Sequence, residues 1–256
     1  MIFGFIDKGK ILRVRQQINI FIDKMRYRRD HRVSYNTLEL LGRSDLRCAV
    51  LCKGASLLEL LEFEDSFDIY ILVNFDKSMG KYVKLFDKIS EKPVVIFSSL
   101  DELILPKFLA KRLQVVGVYL RLVGKDVKNF MDSRIRRRLE IYRQRIRVLD
   151  QNFSQEIIDG KLKNTGLSAI YWASYYFSDI TIFGLDFYTS PYLNGKKIKS
   201  SYVFERAPSL ELFSSMLLER LFLVCEMRPE VKFNWHTTYN METSIYPPNI
   251  KFFKIN

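Results

Sequence analysis

Short, continuous apolar runs constrain the fold of this chain most, because each has the length of a strand and ends in small or polar residues. Buried parallel strands have this length and this content of β-branched and aromatic residues, and helical patterns lie between successive runs. The alternation predicts an α/β fold, with a Rossmann-like, mostly parallel sheet and helices on both of its faces. The runs are RCAVLC (47–52), DIYILVNF (68–75), VVIFSS (94–99), VVGVYLRL (115–122), ITIF (180–183) and VKFN (231–234).

The edge of the sheet at the carboxyl ends of its strands is the predicted ligand site, since ligands bind there in open α/β folds. The stretch NTGLSAIYWASYYFSDITIFGLDFY (164–188) leads from a small polar turn, through an apolar helical segment, to a strand that ends at Gly184, Asp186 and Tyr188. The first strand is followed by the turn Lys53-Gly54-Ala55-Ser56. Its glycine lets the backbone approach a ligand, and its serine can cap a helix whose N-terminus attracts phosphate.

The net charge of +12 favours an anionic partner. The candidate classes are nucleic acid, an acidic membrane surface and a phosphorylated ligand. Basic residues are concentrated at 8–32 and 132–149, and both segments have an amphipathic helical pattern. The first segment either packs on the domain or lies on an anionic membrane surface. The second is either a solvated helix face or a contact surface for anionic lipid or an anionic saccharide. No recognisable nucleic-acid motif accompanies them, so we expect no nucleic-acid partner.

Composition argues against several other classes of site and location. The three cysteines, Cys48, Cys52 and Cys225, lie in apolar runs and predict reduced, buried side chains without a disulfide framework. His31 and His236 are the only histidines and no CxxC pair occurs, which argues against a zinc site. The chain has no uncharged apolar run of about 18 residues and no signal-peptide pattern. We therefore predict a cytoplasmic protein without a metal.

A single domain is predicted after a basic extension. The extension is 1–44, and 45–256 form one α/β domain that no linker or repeat divides. The polar segment TSPYLNGKKIKSSYVFERA (189–207) is predicted to be a mobile lid, because long loops beside a site often close over it. A helix is expected from Pro208 to Phe222, and the tail from Lys251 is expected to cover the edge of the sheet.

Three segments taken in order, CAVLCKGASL, DIYILVNF and the stretch ending in GLDFY, resemble the bacterial sialyltransferases of glycosyltransferase family 42. The resemblance covers 47–240 and is strongest in the GLDFY block. It implies a single nucleotide-binding domain of the GT-A-variant kind, with a lid. It also implies inverting, metal-independent transfer of sialic acid or a related acidic 2-keto sugar from a CMP-activated donor to a saccharide, without a cofactor.

The resemblance further implies which residues bind the donor. Lys53 and Ser98 stand where the family has asparagine, so both depart from its pattern. Asn164 replaces the threonine of a TSG turn, and Thr165 and Gly166 match the two residues that follow. The implied donor-binding residues are Lys53, Gly54, Ser56, Asn74, Ser98, Asn164, Thr165, Gly166, Gly184 and Asp186.

The implied catalytic groups are two tyrosines and a general base. In the family, two tyrosine hydroxyls donate hydrogen bonds to the departing phosphate, and a histidine at the end of the lid removes the acceptor proton. Tyr188 matches the first tyrosine, and Tyr192 and Tyr202 are both candidates for the second. Glu205 occupies the region of the family's histidine. The candidate bases are a partly desolvated Glu205 and His236 at the end of the last strand.

Two other functions stay open. A pterin pyrophosphokinase-like enzyme shares a similar turn and strand end, but it needs Mg²⁺ held by clustered carboxylates, and only Asp186 is available. A catalytically degenerate protein that binds a CMP-sugar or a saccharide would account for the missing lid histidine.

The partners implied for a transferase are CMP-sialic acid or a similar CMP-sugar and a saccharide acceptor. We expect a lipid-linked acceptor, for a lipooligosaccharide or a capsule, and therefore peripheral contact with the inner membrane. The acceptor's identity, the linkage and association into a homo-oligomer stay open.

Overall fold

A sheet of eight parallel strands organises the computed structural model of the protein. The structure describes residues 45–64, 67–75, 79, 81–99, 112–121, 146–148, 164–189, 191–193, 195, 203, 207–241 and 245–255. In those ranges the neighbouring strands pair parallel throughout, which confirms the predicted α/β class and parallel sheet. The strands are β1 (Arg47–Leu51), β2 (Ile69–Val73), β3 (Pro93–Ser99), β4 (Gln114–Arg121), β5 (Ile146–Val148), β6 (Asp179–Phe183), β7 (Lys232–Thr237) and β8 (Ile250–Lys254).

The order of the strands places a switch point between β1 and β6. The order is β5-β4-β3-β2-β1-β6-β7-β8, so the chain builds one half of the sheet outward from β1 and then returns to build the other half. Cys48 pairs with Ile180 and Leu51 with Phe183 where the halves meet. In sheets of this kind the ligand crevice lies outside the carboxyl ends of the two strands at the reversal. The turns after β1 and β6 therefore flank that crevice.

Helices pack on both faces of the sheet, as predicted. On one face α1 (Glu59–Glu62), which continues a 3-10 turn at Ala55–Leu58, and α2 (Val83–Ile89) bury their apolar side chains with alternate residues of β1 to β4. On the other face lies α3 (Thr165–Ser174), which packs against β1, β2, β3 and β6, and α4 (Leu210–Met227) packs against α3. Each fully buried Leu, Ile or Phe contributes about 1.5–3 kcal/mol.

Both long helices begin at a side-chain cap. Asn164 Oδ1 accepts a hydrogen bond from the Leu167 amide at 3.1 Å, and Ser209 Oγ accepts one from the Leu212 amide at 3.2 Å. These caps satisfy amides that the first helical turn leaves without a partner. The helix expected after Pro208 is confirmed, and it continues to Met227.

Two parts of the sheet differ from the sequence-based expectation. The basic segment 132–149 has an amphipathic helical pattern, but Ile146–Val148 is strand β5, whose Ile146 pairs with Val118 of β4. Two β-branched residues separated by one position suit a strand, and the edge of β4 offers backbone partners. The tail does more than cover the opposite edge, because Ile250–Lys254 is itself the edge strand β8.

The predicted extension 1–44, the remainder of the segment 132–149 and most of the predicted lid lie outside the described residues. Cys48, Cys52 and Cys225 are free and buried, as predicted. Burial raises the pKa of the Cys52 and Cys225 thiols to about 12, so they stay protonated near neutral pH. Within the described ranges, no helix has both the length and the apolar character needed to cross a bilayer.

Candidate functional site

The turns after β1 and β6 are in direct contact at the switch point. The Cys52 amide donates to the Phe183 carbonyl and the Gly54 amide to the Gly184 carbonyl, both at 2.8 Å. A Cβ on Gly54 would collide with Asp186 and Gly184, and one on Gly184 would collide with the Cys52 carbonyl. Gly184 also has a φ of 72°, which favours glycine. The close contact between the two turns therefore requires glycine at both positions.

The Asp186 carboxylate joins three turns of the sheet edge. It is 3% exposed and accepts hydrogen bonds from the Ser56 hydroxyl at 2.6 Å and the Ser56 amide at 3.0 Å. The Thr237 hydroxyl at 3.2 Å and the Thr238 amide at 3.1 Å donate to it from the end of β7. The Ser56 oxygen in turn accepts from the Gly184 amide at 2.8 Å. Asp186 and Ser56 are predicted donor-binding residues. In the structure they hold together the turns that flank the crevice.

The GLDFY turn has an unusual backbone that the surrounding elements hold in place. Phe187 and Tyr188 have φ values of 45° and 68°, in the left-handed region that aromatic residues rarely adopt. Such residues cost about 1–2 kcal/mol each and persist only where other contacts fix them. Carbonyl groups of the turn accept hydrogen bonds from Trp235 Nε1 at 3.0 Å, the Thr189 amide at 3.0 Å and Ser214 Oγ at 2.7 Å. The turn is therefore a rigid support for Tyr188.

The Tyr188 side chain lies between α3 and α4. Its hydroxyl accepts a hydrogen bond from Asn164 Nδ2 at 3.1 Å, at the N-terminus of α3. Its ring stacks on Phe213 of α4, with centroids 5.8 Å apart, and meets the Tyr192 ring edge to face at 5.9 Å. These contacts fix the position of the Tyr188 side chain. Because the residue is only half-buried, part of it stays accessible to a ligand.

Lys53 brings a positive charge to the same group of side chains. Its ammonium nitrogen lies 5.2 Å from the centroid of the Tyr192 ring, and the residue is 8% exposed. The Lys53 carbonyl accepts from the Leu193 amide at 2.9 Å, and the Tyr82 hydroxyl donates to the Leu193 carbonyl. Residues 191–193 therefore pack against the first turn. Lys53, Tyr192, Tyr188 and Asn164 follow one another in contact along the crevice.

The start of α3 lies against the same two strand ends. A Cβ on Gly166 would lie 3.0 Å from the Leu185 side chain and 3.2 Å from Cys52 Sγ. Thr165 is buried beside it. The structure thus brings Asn164, Thr165 and Gly166 to the switch point.

Asn74 and Ser98 lie at the ends of β2 and β3, on the same edge of the sheet. The Asn74 amide donates to the Phe97 carbonyl at 2.9 Å, and its φ of 55° is one that asparagine tolerates. Ser98 is fully buried and its hydroxyl donates to Asn74 Oδ1 at 3.4 Å. Asn74 is the more accessible of the two, and Ser98 supports it from below.

His236 belongs to the core. Its ring is stacked between Phe183, at 4.6 Å, and Phe253, at 4.5 Å, while Phe63 meets it edge to face at 5.5 Å. Burial lowers the pKa of His236 from its ordinary 6.5 to about 4, so the ring is a weak base near neutral pH. This environment does not suit the general base that the sequence proposed. Tyr202 and Glu205 lie outside the described residues.

The buried His236 is expected to make the protein less stable in mild acid. Between pH 6.5 and pH 4 the unfolded chain binds a proton that the folded chain does not, so the free energy of unfolding falls as pH falls through this window. The loss reaches roughly 2–3 kcal/mol. Urea unfolding from pH 7 to pH 4 should show a weaker pH dependence for His236→Leu than for the wild type. His31→Leu, at the only other histidine, is the matched control, and an equal flattening there would contradict the assignment.

Sequence reasoning missed the supporting residues of the site. It ended the last strand at Asn234, whereas β7 continues to Thr237 and brings Trp235 and Thr237 to the GLDFY turn. The apolar Trp235 between polar neighbours was the available signal for a longer strand. Ser214 and Phe213 gave no signal, because α4 had no predicted partner.

No metal ligand set accompanies the crevice: across the described ranges, no cluster of three or more His, Cys, Asp and Glu side chains could hold an ion. Asp186, which a magnesium-dependent pyrophosphokinase would need as a ligand, already accepts four hydrogen bonds from protein groups.

Comparisons with known proteins leave the resemblance as a prediction. No protein-family model, no curated protein and no solved structure matches the chain. The geometry of the crevice is therefore the basis for a functional proposal.

Proposed function

We propose that the protein is a glycosyltransferase that moves sialic acid or a related acidic 2-keto sugar from a CMP-activated donor to a saccharide acceptor. The transfer would invert the anomeric configuration and need no metal. The observation that carries the proposal is the group at the switch point. There the Tyr188 hydroxyl accepts a hydrogen bond from Asn164 at the N-terminus of α3. The Tyr188 ring contacts the Tyr192 ring, and the Lys53 ammonium lies over the Tyr192 ring and adds a positive charge.

These groups suit a nucleotide monophosphate. A helix N-terminus and a lysine both favour an anion, and a half-buried hydroxyl can donate to a phosphate oxygen. The crevice between β1 and β6 is the position where parallel sheets bind nucleotides. The net charge of +12 favours both an anionic donor and an acceptor at an anionic lipid surface.

The transfer itself exchanges one bond for another. The acceptor oxygen forms a bond to the anomeric carbon as the bond from that carbon to the phosphate oxygen breaks, and CMP leaves with the electron pair. The acceptor proton passes to a general base, for which Glu205 is the remaining candidate of the sequence. Tyr188 would donate a hydrogen bond to the phosphate oxygen as its charge develops.

A second candidate function is a degenerate protein that binds a CMP-sugar without turnover. The position of His236 favours it, because the ring is stacked between Phe183 and Phe253 and burial lowers its pKa, which makes it a weak base. The pyrophosphokinase is less well supported, since the Asp186 carboxylate is engaged by Ser56 and Thr237.

Calorimetric titration with CMP, CMP-sialic acid and ATP tests the proposal. We expect both CMP ligands to bind and ATP to bind more weakly, and we expect CMP release when lactosides are added as acceptors. Binding without CMP release across a panel of acceptors would favour the degenerate protein. Failure of both CMP ligands to bind would overturn the proposal.

Substitution of Lys53 tests the phosphate contact, and substitution of Lys232 is the matched control. Lys53→Met is expected to weaken CMP binding about tenfold, because a charge-assisted contact to phosphate is lost. Lys232 lies at the amino end of β7, where it pairs with Asp179, so Lys232→Met should leave CMP affinity unchanged. Equal effects of the two substitutions would show that only the overall charge matters.

A further inference from the structure

We propose that Asn164 is a positioning residue for Tyr188, and that its side-chain amide sets the direction in which the Tyr188 hydroxyl donates. The sequence predicted Asn164 as a direct contact to the donor. The catalytic consequence rests on the proposed function, whereas the geometry can be tested without it.

The Asn164 amide has two partners that define its orientation. Its oxygen accepts from the Leu167 amide at 3.1 Å, and its nitrogen donates to the Tyr188 hydroxyl at 3.1 Å. Only the amide oxygen can accept from a backbone N–H, so the nitrogen faces the Tyr188 hydroxyl. Asn164 is also 8% exposed, which leaves its amide little freedom to rotate.

The orientation of Asn164 determines the role of the Tyr188 oxygen. Because the asparagine nitrogen is a donor, the phenol oxygen must accept in this pair, and its own hydrogen has to point elsewhere. Conjugation with the ring keeps a phenol hydrogen near the ring plane, on one of two sides. Asn164 occupies one side, and the contacts with Phe213 and Tyr192 hold the ring itself. The Tyr188 hydrogen is therefore directed to the side away from α3.

This arrangement would prepare Tyr188 for a departing phosphate. A hydroxyl that accepts one hydrogen bond becomes a stronger donor in the next, since linked hydrogen bonds polarise one another. Asn164 thus both aims and strengthens the donor, without itself contacting the reacting atoms. The cap on α3 and the aim of Tyr188 depend on a single side chain.

Two substitutions separate the cap from the link to Tyr188. Asn164→Ser retains a good N-cap but is too short to keep the contact with the phenol. Asn164→Asp retains the cap and the shape, but a carboxylate only accepts, so the hydrogen bond with Tyr188 must reverse. Both variants should unfold within a few degrees of the wild type, whereas Asn164→Ala loses the cap as well.

The kinetic test is a double-mutant cycle with Tyr188→Phe. Asn164→Ser alone is expected to lower kcat about tenfold and to change the donor KM less than threefold. In the Tyr188→Phe background the same substitution should have almost no further effect, because Asn164 acts through the hydroxyl that is already gone. Equal effects in both backgrounds, or a change confined to KM, would overturn the inference.

A spectroscopic test does not depend on turnover. In protein labelled with ¹³C at the tyrosine Cζ, the Tyr188 resonance is identified by its loss in Tyr188→Phe. That resonance should shift in Asn164→Asp and in Asn164→Ser, since the phenol loses the donated hydrogen bond in both. An unchanged resonance overturns the positioning role. A shifted resonance in a protein that never releases CMP supports the positioning role and contradicts the proposed function.

Discussion

Tyr188→Phe is expected to lower the rate of CMP release about 100- to 1000-fold, which is the usual cost of removing one donor from a developing anion. CMP affinity should change less than threefold, because the ring and its stacking on Phe213 are retained. The measurement is a steady-state assay of CMP release, combined with calorimetric titration of CMP. A loss in kcat alone would mean that the hydroxyl acts mainly in the transition state.

Tyr171→Phe is the matched control for this substitution. Tyr171 is a buried tyrosine of α3, and its hydroxyl lies 2.6 Å from that of Tyr175, away from the crevice. Its loss should leave turnover unchanged. If Tyr188→Phe kept full activity, or weakened CMP binding as much as it slowed turnover, the role proposed for Tyr188 would be wrong.

Asp186→Ala is expected to lower the free energy of unfolding by about 3–5 kcal/mol, the largest stability effect predicted here. The substitution leaves buried donors of Ser56 and Thr237 and the partly buried Thr238 amide without their acceptor. Asp186→Asn keeps the shape but turns an N–H group toward one of these donors, so a loss of roughly 2–3 kcal/mol is expected. Urea unfolding monitored by circular dichroism measures both changes.

Asp179→Asn is the control substitution. Asp179 is the first residue of β6, at the amino end of the strand, whereas Asp186 follows its carboxyl end. Asp179 bonds Lys232 and Asn234 near the surface, and its loss should cost less than about 1 kcal/mol. A stable Asp186→Asn protein that no longer bound CMP would show that Asp186 contacts the ligand directly. That result would restore the role that the sequence first suggested.

The sequence predicted the class of the fold because burial on both faces leaves a local signature. Cys48–Leu51 and Ile69–Val73 are almost entirely buried, and both are uninterrupted apolar runs in the sequence. The strand β5 was missed for the opposite reason. It has three residues in a strongly basic segment, and pairing with β4 decides its conformation more than its own composition does.

The sequence indicated individual residues of the candidate site, but not the contacts between them. The turns at Gly54 and Gly184 and the asparagine before α3 were each visible as small or polar residues at the end of an element. The partners of Asp186 were not visible, because Ser56 is 130 positions away and nothing local marks the pair. The surroundings of His236 were not visible either, because position along β7 indicates which edge a residue is near, but not which aromatic rings enclose it.

The strand order has a consequence for how the protein reaches its native state. The first strand, β1, acquires its second neighbour, β6, only after more than a hundred intervening residues have been synthesised, since Cys48 pairs with Ile180. Contacts of such high sequence separation form slowly, because the entropy of closing the intervening chain is lost before they contribute. A nascent chain that has emerged only as far as β5 already contains five of the eight strands described, but only one wall of the crevice. The crevice is therefore complete only after β6 has been synthesised and has paired with β1.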